Sequence, residues 1–191
     1  MLFIDLSKAF DTINHKILID KLEFYGIRGI ALNWFKSYIS NRQQYVLYNG
    51  TASTRLFLTC GVPQGFILGP ILYLLYVNDI VNVLPILHLI LFVNDTNIFV
   101  SHRDLPTIIR TLNVELKLLC NWFIVNRLSL NIDKTHFIVF NGIMKKYNCD
   151  ALLSQKLVID GKPISQVRST KFLGVSIDEH LTWEVHASNI K

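Results

Sequence analysis

The sequence has no apolar run long enough to cross a membrane, although 51% of its 191 residues are hydrophobic and only 17% are charged. Its longest apolar run, Phe66 to Val77, contains Gly69 and Pro70 and falls short of the roughly 18 residues that a membrane span needs. A signal peptide is also absent, because Asp5 and Lys8 occupy positions where its apolar centre would lie. These absences predict a folded intracellular protein of the cytoplasm or nucleus, with no membrane partner. A membrane-associated apolar protein is the alternative.

Cysteine and histidine are too few and too irregularly spaced to form a disulfide framework or a zinc site. The three cysteines, Cys60, Cys120 and Cys149, are odd in number and lack metal-ligand spacing. The six histidines show no such spacing either. We therefore expect the cysteines to be core thiols in a reducing compartment.

Positive charge is missing from the middle of the chain. No Lys or Arg lies between Leu56 and His102, and the acids of that stretch are Asp79 and Asp95 alone. The net charge of +5 arises from 19 basic and 14 acidic residues, and the basic ones lie in the outer thirds. This balance permits binding to a polyanion such as nucleic acid but does not demand it.

Asp95 lies in this uncharged stretch, at a predicted turn. Apolar runs between Leu89 and Val100 flank Asn94–Asp95, a pattern typical of two buried strands joined by a tight turn. A carboxylate among apolar strands is costly to bury unless a distant side chain or a metal ion neutralises it. The alternative is a solvated turn residue at the rim of a sheet.

The order of predicted elements indicates an α+β fold, with an antiparallel sheet and helices packed on one of its faces. The first strand, from Met1 to Ile4, ends at Asp5, and Asn94–Asp95 forms the tip of a hairpin. If the two strands are neighbours, the carboxylates of Asp5 and Asp95 meet at one rim of the sheet.

Apolar spacing and turn residues predict the other elements. The first predicted helix ends at Gly26 and has Leu18, Leu22 and Tyr25 on its apolar stripe. The second has Ala31, Trp34, Phe35 and Tyr38 on its apolar stripe, and the third covers 67–81 and is buried nearly all round. The fourth is capped by Asp104 and has Leu105, Leu112 and Phe123 on its apolar stripe. Strands are expected at 157–164 and 172–177, turns at Asn49–Gly50 and Asp160–Gly161, and a surface excursion at 142–155.

Five segments along the whole chain, in this order, resemble the motifs of reverse transcriptases from non-long-terminal-repeat retrotransposons of the jockey-like kind. They are FIDLSKAFD at 3–11, GVPQGFILGP at 61–70 continuing to YVND at 76–79, FVNDT at 92–96, the segment 122–135 with Asn126, Leu128, Asn131, Lys134 and Thr135, and FLGV at 172–175 followed by Asp178, Leu181, Trp183 and His186. One of these motifs alone would be a weak signal, whereas five in register are a strong one.

The resemblance implies the palm of a right-hand polymerase that extends a DNA primer on an RNA template with deoxynucleoside triphosphates. It implies two Mg²⁺ ions, with Asp5 bridging both and with Asn94 and Asp95 completing the set. It also implies a single partial domain over 1–191. In that domain the palm core covers about 1–141, a surface excursion and primer-grip-like strands fill 142–191, and the fingers and most of the thumb are absent.

Substrate-binding residues are likewise implied by the resemblance. It gives the following roles: Phe10 beneath the sugar, where it rejects a 2′-hydroxyl; Gln64 and Gly65 in the nucleotide pocket; Lys134 near the leaving pyrophosphate; and Phe172, Leu173 and Gly174 near the primer end. Taken singly, each has a structural alternative. Asp5 could cap a strand or helix, Phe10 could be core, Gln64 a loop hydrogen-bonder and Lys134 a solvated lysine.

Two residues depart from the family pattern. Asn94 stands where the family has the first of two aspartates, and Phe66 stands where it has a small Ser. Losing one unit charge about 4 Å from another is worth on the order of 4 kcal/mol, or roughly a thousandfold in rate. We therefore expect a weak or inactive polymerase, with a non-catalytic nucleic-acid-binding remnant as the alternative function.

Overall fold

The computed structural model of the chain describes residues 1–65, 67–92, 95–140 and 156–190. Contacts group the chain into two compact units. The first comprises Met1–Leu6, Val81–Trp122 and Leu130–Lys191, and the second comprises Ser7–Ile80 and Phe123–Ser129.

The helices are α1 His15–Phe24, α2 Gly29–Ile39, α3 Leu68–Val77, α4 Leu105–Val125 and α5 Glu184–Ile190, with a 3₁₀-helix at Asn78–Val83. The strands are β1 Leu2–Ile4, β2 Leu6–Ser7, β3 Gln43–Gln44, β4 Leu47–Tyr48, β5 Thr51–Ala52, β6 Leu56–Phe57, β7 His88–Phe92, β8 Asp95–Phe99, β9 Ser129–Leu130, β10 His136–Phe137, β11 Val158–Ile159, β12 Lys162–Pro163, β13 Ser165–Gln166, β14 Ser169–Phe172 and β15 Val175–Asp178. In the described ranges, no helix is both long enough and apolar enough to span a membrane.

The first unit is built on a sheet with the strand order β13-β10-β1-β8-β7. Its pairs are antiparallel except for β10 with β13 at one edge. One face carries Leu2, Ile98 and Phe137, which line an apolar cavity of about 200 Å³ together with Ile109 and Leu112 of α4. The predicted α+β fold, with a mainly antiparallel sheet and a helix against one face, is confirmed.

Helix α4 begins as its sequence predicts. The carboxylate of Asp104 accepts the backbone N–H of Thr107 at 3.0 Å, and this N-cap bond satisfies a donor that the first turn leaves unpaired. The bond from the Thr107 hydroxyl, together with this N-cap bond, holds the pKa of Asp104 below its usual range. Of the predicted apolar stripe, Leu112 and Phe123 are buried, at 6% and 1% exposed, and Leu105 is half-buried.

The second unit contains α1, α2 and α3, and two of the predicted helices differ in detail. Helix α2 buries Leu32 and Ile39, whereas Trp34 of the predicted stripe is 50% exposed. Helix α3 ends at Val77, and its outer side, with Ile71 and Leu74, is exposed. The prediction that it is buried nearly all round is wrong, because a uniformly apolar helix gives no signal of which side faces solvent.

Two hairpin turns are confirmed, and one predicted strand is wrong. Asn49–Gly50 joins β4 to β5 and Asp160–Gly161 joins β11 to β12, with both residues of each pair at positive φ, as a type I′ turn requires. The segment 172–177, expected as one strand, is instead part of the β14–β15 hairpin. It turns at Leu173 (φ 48°) and Gly174 (φ 85°). A leucine at positive φ is uncommon, so its side chain gave no turn signal.

The prediction that the cysteine thiols are buried in the core is confirmed only in part. Cys60 is exposed and Cys120 is half-buried. The core assignment of Cys60 is wrong, since this residue ends the exposed segment that follows β6. Cys149 and the excursion predicted at 142–155 lie outside the described residues.

Candidate active site

The pairing of the central strands brings Asp5 and Asp95 to one end of the sheet. In the β1–β8 pair, Phe3 is opposite Asn97 and Ile4 is opposite Thr96. Asp5 directly follows Ile4 and Asp95 directly precedes Thr96, so the two acids are the next residues along from the last of these pairs. The structure therefore makes the two strands neighbours, which is the condition that the sequence left open, and both carboxylates line one cavity of about 450 Å³.

This cavity opens on the sheet face away from α4. Its lining consists of Phe3, Ile4, Asp5, Asp95, Asn97, Asp133, Lys134, Thr135, His136, Ser165, Val167, Lys171 and Phe172. Lys134 and Lys171 supply the positive charge that the sequence around Asp95 lacks. Within the part of the chain that the structure describes, the lysine–carboxylate ion pair is Lys21–Asp79, so neither Asp5 nor Asp95 is paired with a lysine.

The main chain of Asp5 is held by the segment 131–135. The Asn131 N–H donates to the Asp5 carbonyl at 2.9 Å, and the Asp5 N–H donates to the Thr135 hydroxyl at 3.4 Å. That hydroxyl in turn donates to the Asn131 carbonyl at 2.8 Å, and Thr135 is only 2% exposed. The fourth motif-like segment therefore fixes the position of the first carboxylate-bearing residue.

The donor set of the cavity is suited to a hard cation. Mg²⁺ prefers oxygen ligands and commonly takes one or two protein carboxylates, completing its shell with water and phosphate oxygens. Asp5 and Asp95 offer two carboxylates on an open cavity, and among the described residues neither is neutralised by an ion pair. Among residues 1–65, 67–92, 95–140 and 156–190, no group of three His, Cys, Asp or Glu is arranged to hold a metal ion. Asn94 and Phe66 lie outside these ranges.

Of the residues assigned to the primer end, Phe172 lines the same cavity, and the other two lie at the tip of the β14–β15 hairpin. The Phe172 ring meets the Phe3 ring edge-on, with centroids 6.0 Å apart, and lines the cavity with Lys134. Leu173 and Gly174 form the β14–β15 turn, and Leu173 is exposed. The structure thus brings Phe172 and Lys134 to the cavity that Asp5 and Asp95 share.

The residues assigned to the nucleotide pocket lie in the second unit. The Gln64 amide donates through Nε2 to the Asp11 carboxylate at 2.7 Å, and both side chains line a cavity of about 430 Å³ with Arg42 and Gln44. Gly65 follows at the exposed end of the loop.

Close backbone approach explains the glycine at position 61. Its N–H donates to the Ile13 carbonyl at 2.8 Å, and the Val62 N–H donates to the Phe10 carbonyl at 2.9 Å. Gly61 has φ +83°, and a Cβ there would lie 2.9 Å from the Asp11 carbonyl oxygen. The half-buried Phe10 packs its ring on Tyr73 at 5.1 Å.

Sequence reasoning gave no role to most side chains of the 450 Å³ cavity, among them Asp133, Thr135, His136 and Lys171. Three of the four lie on the segment 133–136, whose His136 pairs with Phe3 of the distant strand β1, and Lys171 lies on the β14–β15 hairpin. The signal available in the sequence was the polar run Asp133–His136, which immediately precedes an apolar strand.

The family model described as reverse transcriptase (RNA-dependent DNA polymerase) matches residues 1–177, and the chain belongs to this family. Its relatives include the RNA-directed DNA polymerase from the mobile element jockey of Drosophila funebris, 24% identical over 99% of this chain, and the probable RNA-directed DNA polymerase from transposon X-element of Drosophila melanogaster, 26% identical over 100%. The chain spans 20% of the length of each of these relatives. The jockey-like resemblance of the sequence motifs is confirmed.

Solved structures support the fold. The chain is similar to apo telomerase from Candida tropicalis truncated from its C-terminal domain, with a TM-score of 0.60, 17% sequence identity, and coverage of 96% of this chain and 34% of that one. At this identity the likeness concerns the fold alone, which is that of a polymerase palm.

Proposed function

We propose that this chain forms the catalytic palm of a retrotransposon reverse transcriptase, which adds deoxynucleotides to a DNA primer on an RNA template. The observation that carries the proposal is that Asp5 and Asp95, at the adjoining ends of the paired strands β1 and β8, line one open cavity. The palm core corresponds to residues of about 1–141 in a single partial domain over 1–191, and primer-contacting strands follow it.

Asp5 and Asp95 are the residues that would hold Mg²⁺. When bound, the metal neutralises triphosphate charge and favours ionisation of the primer 3′-hydroxyl. The protein contributes the position of the carboxylates: the Asp5 main chain is held by Asn131 and Thr135, and Asp95 is held in the register of β8.

The remaining proposed roles belong to residues that contact the substrates. Lys134 lines the cavity and supplies a cation for the leaving pyrophosphate, and Phe172, Leu173 and Gly174 contact the primer end. In the second unit, Gln64 and Gly65 contact the nucleotide and Phe10 lies beneath its sugar. The support for these roles is the match to the family motifs together with the cavities that Lys134, Phe172 and Gln64 line.

We further propose that Asn94 makes this copy a weak or inactive polymerase. An amide in place of a carboxylate removes one negative charge from the metal site, which is worth on the order of 4 kcal/mol at about 4 Å. The Asn94→Asp substitution should therefore raise the rate of Mg²⁺-dependent primer extension on an RNA template by on the order of a thousandfold.

The experiment compares wild type with Asn94→Asp, alone and combined with Asp5→Asn. Asn121→Asp, on the exposed side of α4, is the matched control because it adds the same charge away from the cavity. Mg²⁺ should raise the melting temperature of Asn94→Asp, and Asp5→Asn should abolish that rise. An unchanged extension rate in Asn94→Asp would refute the charge argument. Mg²⁺ stabilisation that persists in Asp5→Asn would refute the metal site.

A non-catalytic nucleic-acid-binding protein is the second candidate. Lys134 and Lys171 line the cavity, and the chain carries a net charge of +5. Binding to an RNA–DNA hybrid should weaken linearly in log Kd against log salt as counterions are released. This candidate is supported if such binding occurs while Asn94→Asp remains without extension activity, and it is refuted if no hybrid binds at low salt.

A further inference from the structure

His136 connects the strand that leads to Asp5 with the β14–β15 hairpin. Its Nε2 lies 2.7 Å from the Thr170 hydroxyl on β14, and its Nδ1 lies 2.8 Å from the Lys134 carbonyl. A carbonyl only accepts hydrogen bonds, so Nδ1 carries a proton. In the neutral ring, Nε2 then accepts the Thr170 hydroxyl proton. The orientation of the ring is therefore fixed from both sides.

Ring stacking reinforces this hydrogen bond. The imidazole of His136 lies nearly parallel to the Phe3 ring, with centroids 5.2 Å apart and planes 19° apart. Phe3 also meets Phe172 of the hairpin edge-on. Since Phe3 precedes Asp5 by two residues, both side chains point to the same face of the sheet. The hairpin is thus joined to β10 by the His136–Thr170 hydrogen bond and to β1 by the Phe3–Phe172 contact, while the Phe3–His136 stack joins β1 to β10.

The residue before His136 holds Asp5 itself. Thr135 accepts the Asp5 N–H and donates to Asn131, as described above. Adjacent residues therefore position the carboxylate-bearing strand end and the hairpin at the primer end.

We propose that His136, through the Thr170 hydroxyl, is a positioning residue that sets the place of the primer 3′ end relative to Asp5. The inference rests on the proposed function, because it takes the β14–β15 hairpin to contact the primer. It goes beyond that function by naming the bond that determines where the hairpin lies.

The test uses pairs of variants that separate the hydrogen bond from the fold. Thr170→Val removes the hydroxyl and preserves shape, whereas Thr170→Ser keeps the hydroxyl. His136→Phe keeps an aromatic ring beside Phe3 and loses the bond, whereas His136→Gln offers a polar atom near the position of Nε2. Thermal melting of each variant controls for folding.

The readout is binding to an RNA–DNA hybrid without nucleotides, so it does not depend on activity. Affinity is measured by fluorescence anisotropy for a recessed primer 3′ end and for a blunt hybrid of equal length. A 2-aminopurine at the primer terminus reports the environment of the last base through its emission.

Thr170→Val and His136→Phe should each reduce the preference for the recessed end about fivefold, the loss expected for one hydrogen bond. They should also change the 2-aminopurine emission, whereas Thr170→Ser and His136→Gln should behave like wild type. Because the two variants remove the same bond, the double variant should show no further loss.

An unchanged preference and emission in folded Thr170→Val and His136→Phe would overturn this inference alone. Absence of hybrid binding by the wild type at low salt would instead overturn the proposed function, and the inference with it. The two failures are therefore distinguishable.

Discussion

The Thr135 hydroxyl offers a direct test of how the Asp5 position is maintained. In Thr135→Val the side-chain shape is kept, but the Asp5 N–H loses the acceptor that it has at 3.4 Å. The Asn131 carbonyl keeps the N–H donors of Lys134 and Thr135, so it is not left unpaired. The structural cost is therefore mainly one partly buried N–H without a partner.

An unpaired buried donor costs about 1–2 kcal/mol, which for a chain of this size corresponds to a fall in melting temperature of about 2–8 °C. Thr135→Ser should retain most of the stability because its hydroxyl reaches the same partners. The exposed Thr51→Val on β5 is the matched control and should stay within about 0.5 kcal/mol of wild type.

The assay is thermal unfolding followed by circular dichroism, combined with primer extension in the Asn94→Asp background. There, Thr135→Val should lower the extension rate and leave hybrid affinity unchanged, because the hydroxyl holds a carboxylate-bearing residue. Equal stability of Thr135→Val, Thr135→Ser and wild type would refute the reasoning. So would a loss of hybrid affinity with an unchanged extension rate.

Three further predictions concern other parts of the chain. Tyr76→Phe removes a buried hydroxyl that donates at 2.6 Å to a main-chain carbonyl, so unfolding should become easier by about 1–2 kcal/mol, whereas Tyr48→Phe at an exposed position should have no effect in the same urea titration. The Asp11 carboxylate only accepts hydrogen bonds, so it fixes the Gln64 side chain with its amide nitrogen toward Asp11. Asp11→Asn removes this constraint and should weaken nucleotide binding about as much as Gln64→Ala, as measured by isothermal titration. Burial opposes the charged form of Asp178, but bonds from the N–H groups and hydroxyl of the following turn outweigh it and lower its pKa. The ionised Asp178 side chain should therefore stabilise the turn at neutral pH, and this stabilisation should be lost as the pH falls through the lowered pKa. Asp178→Asn should lack this stabilisation. Amide hydrogen exchange of the turn measures both effects.

Local signals in the sequence predicted local structure well. The Asp104 cap and the Asn49–Gly50 turn each depend on residues within a few positions, so their chemistry could be read directly. The stripe of α2 was misassigned because apolar residues occur around most of that helix, and only tertiary packing selects Leu32 and Ile39 for burial. The Leu173–Gly174 turn was missed for a similar reason, since pairing of the flanking strands imposes a positive φ that leucine does not favour.

The candidate site could be predicted where the family motifs name its residues, and not where distant segments converge. Asp5 and Asp95 were found from motifs and strand ends, and the β1–β8 register brings them together. The supporting contacts are separated by more than a hundred residues, as between Asp5 and Thr135, and no sequence pattern encodes that pairing. Positioning residues were therefore the part of the site that required the structure.

Another acidic residue of the cavity could replace the negative charge that Asn94 lacks. Asp133 lines the same cavity as Asp5 and Asp95, and it is the natural substitute for a carboxylate at position 94. Yet in the chain as described, these acids do not form a three-ligand metal group. If Asp133 did restore the charge, Asp133→Asn would abolish the residual extension of the wild type and Asn94→Asp would add little to it. If it does not, Asp133→Asn would change little and Asn94→Asp would restore the rate, which is the outcome that the geometry of the cavity favours.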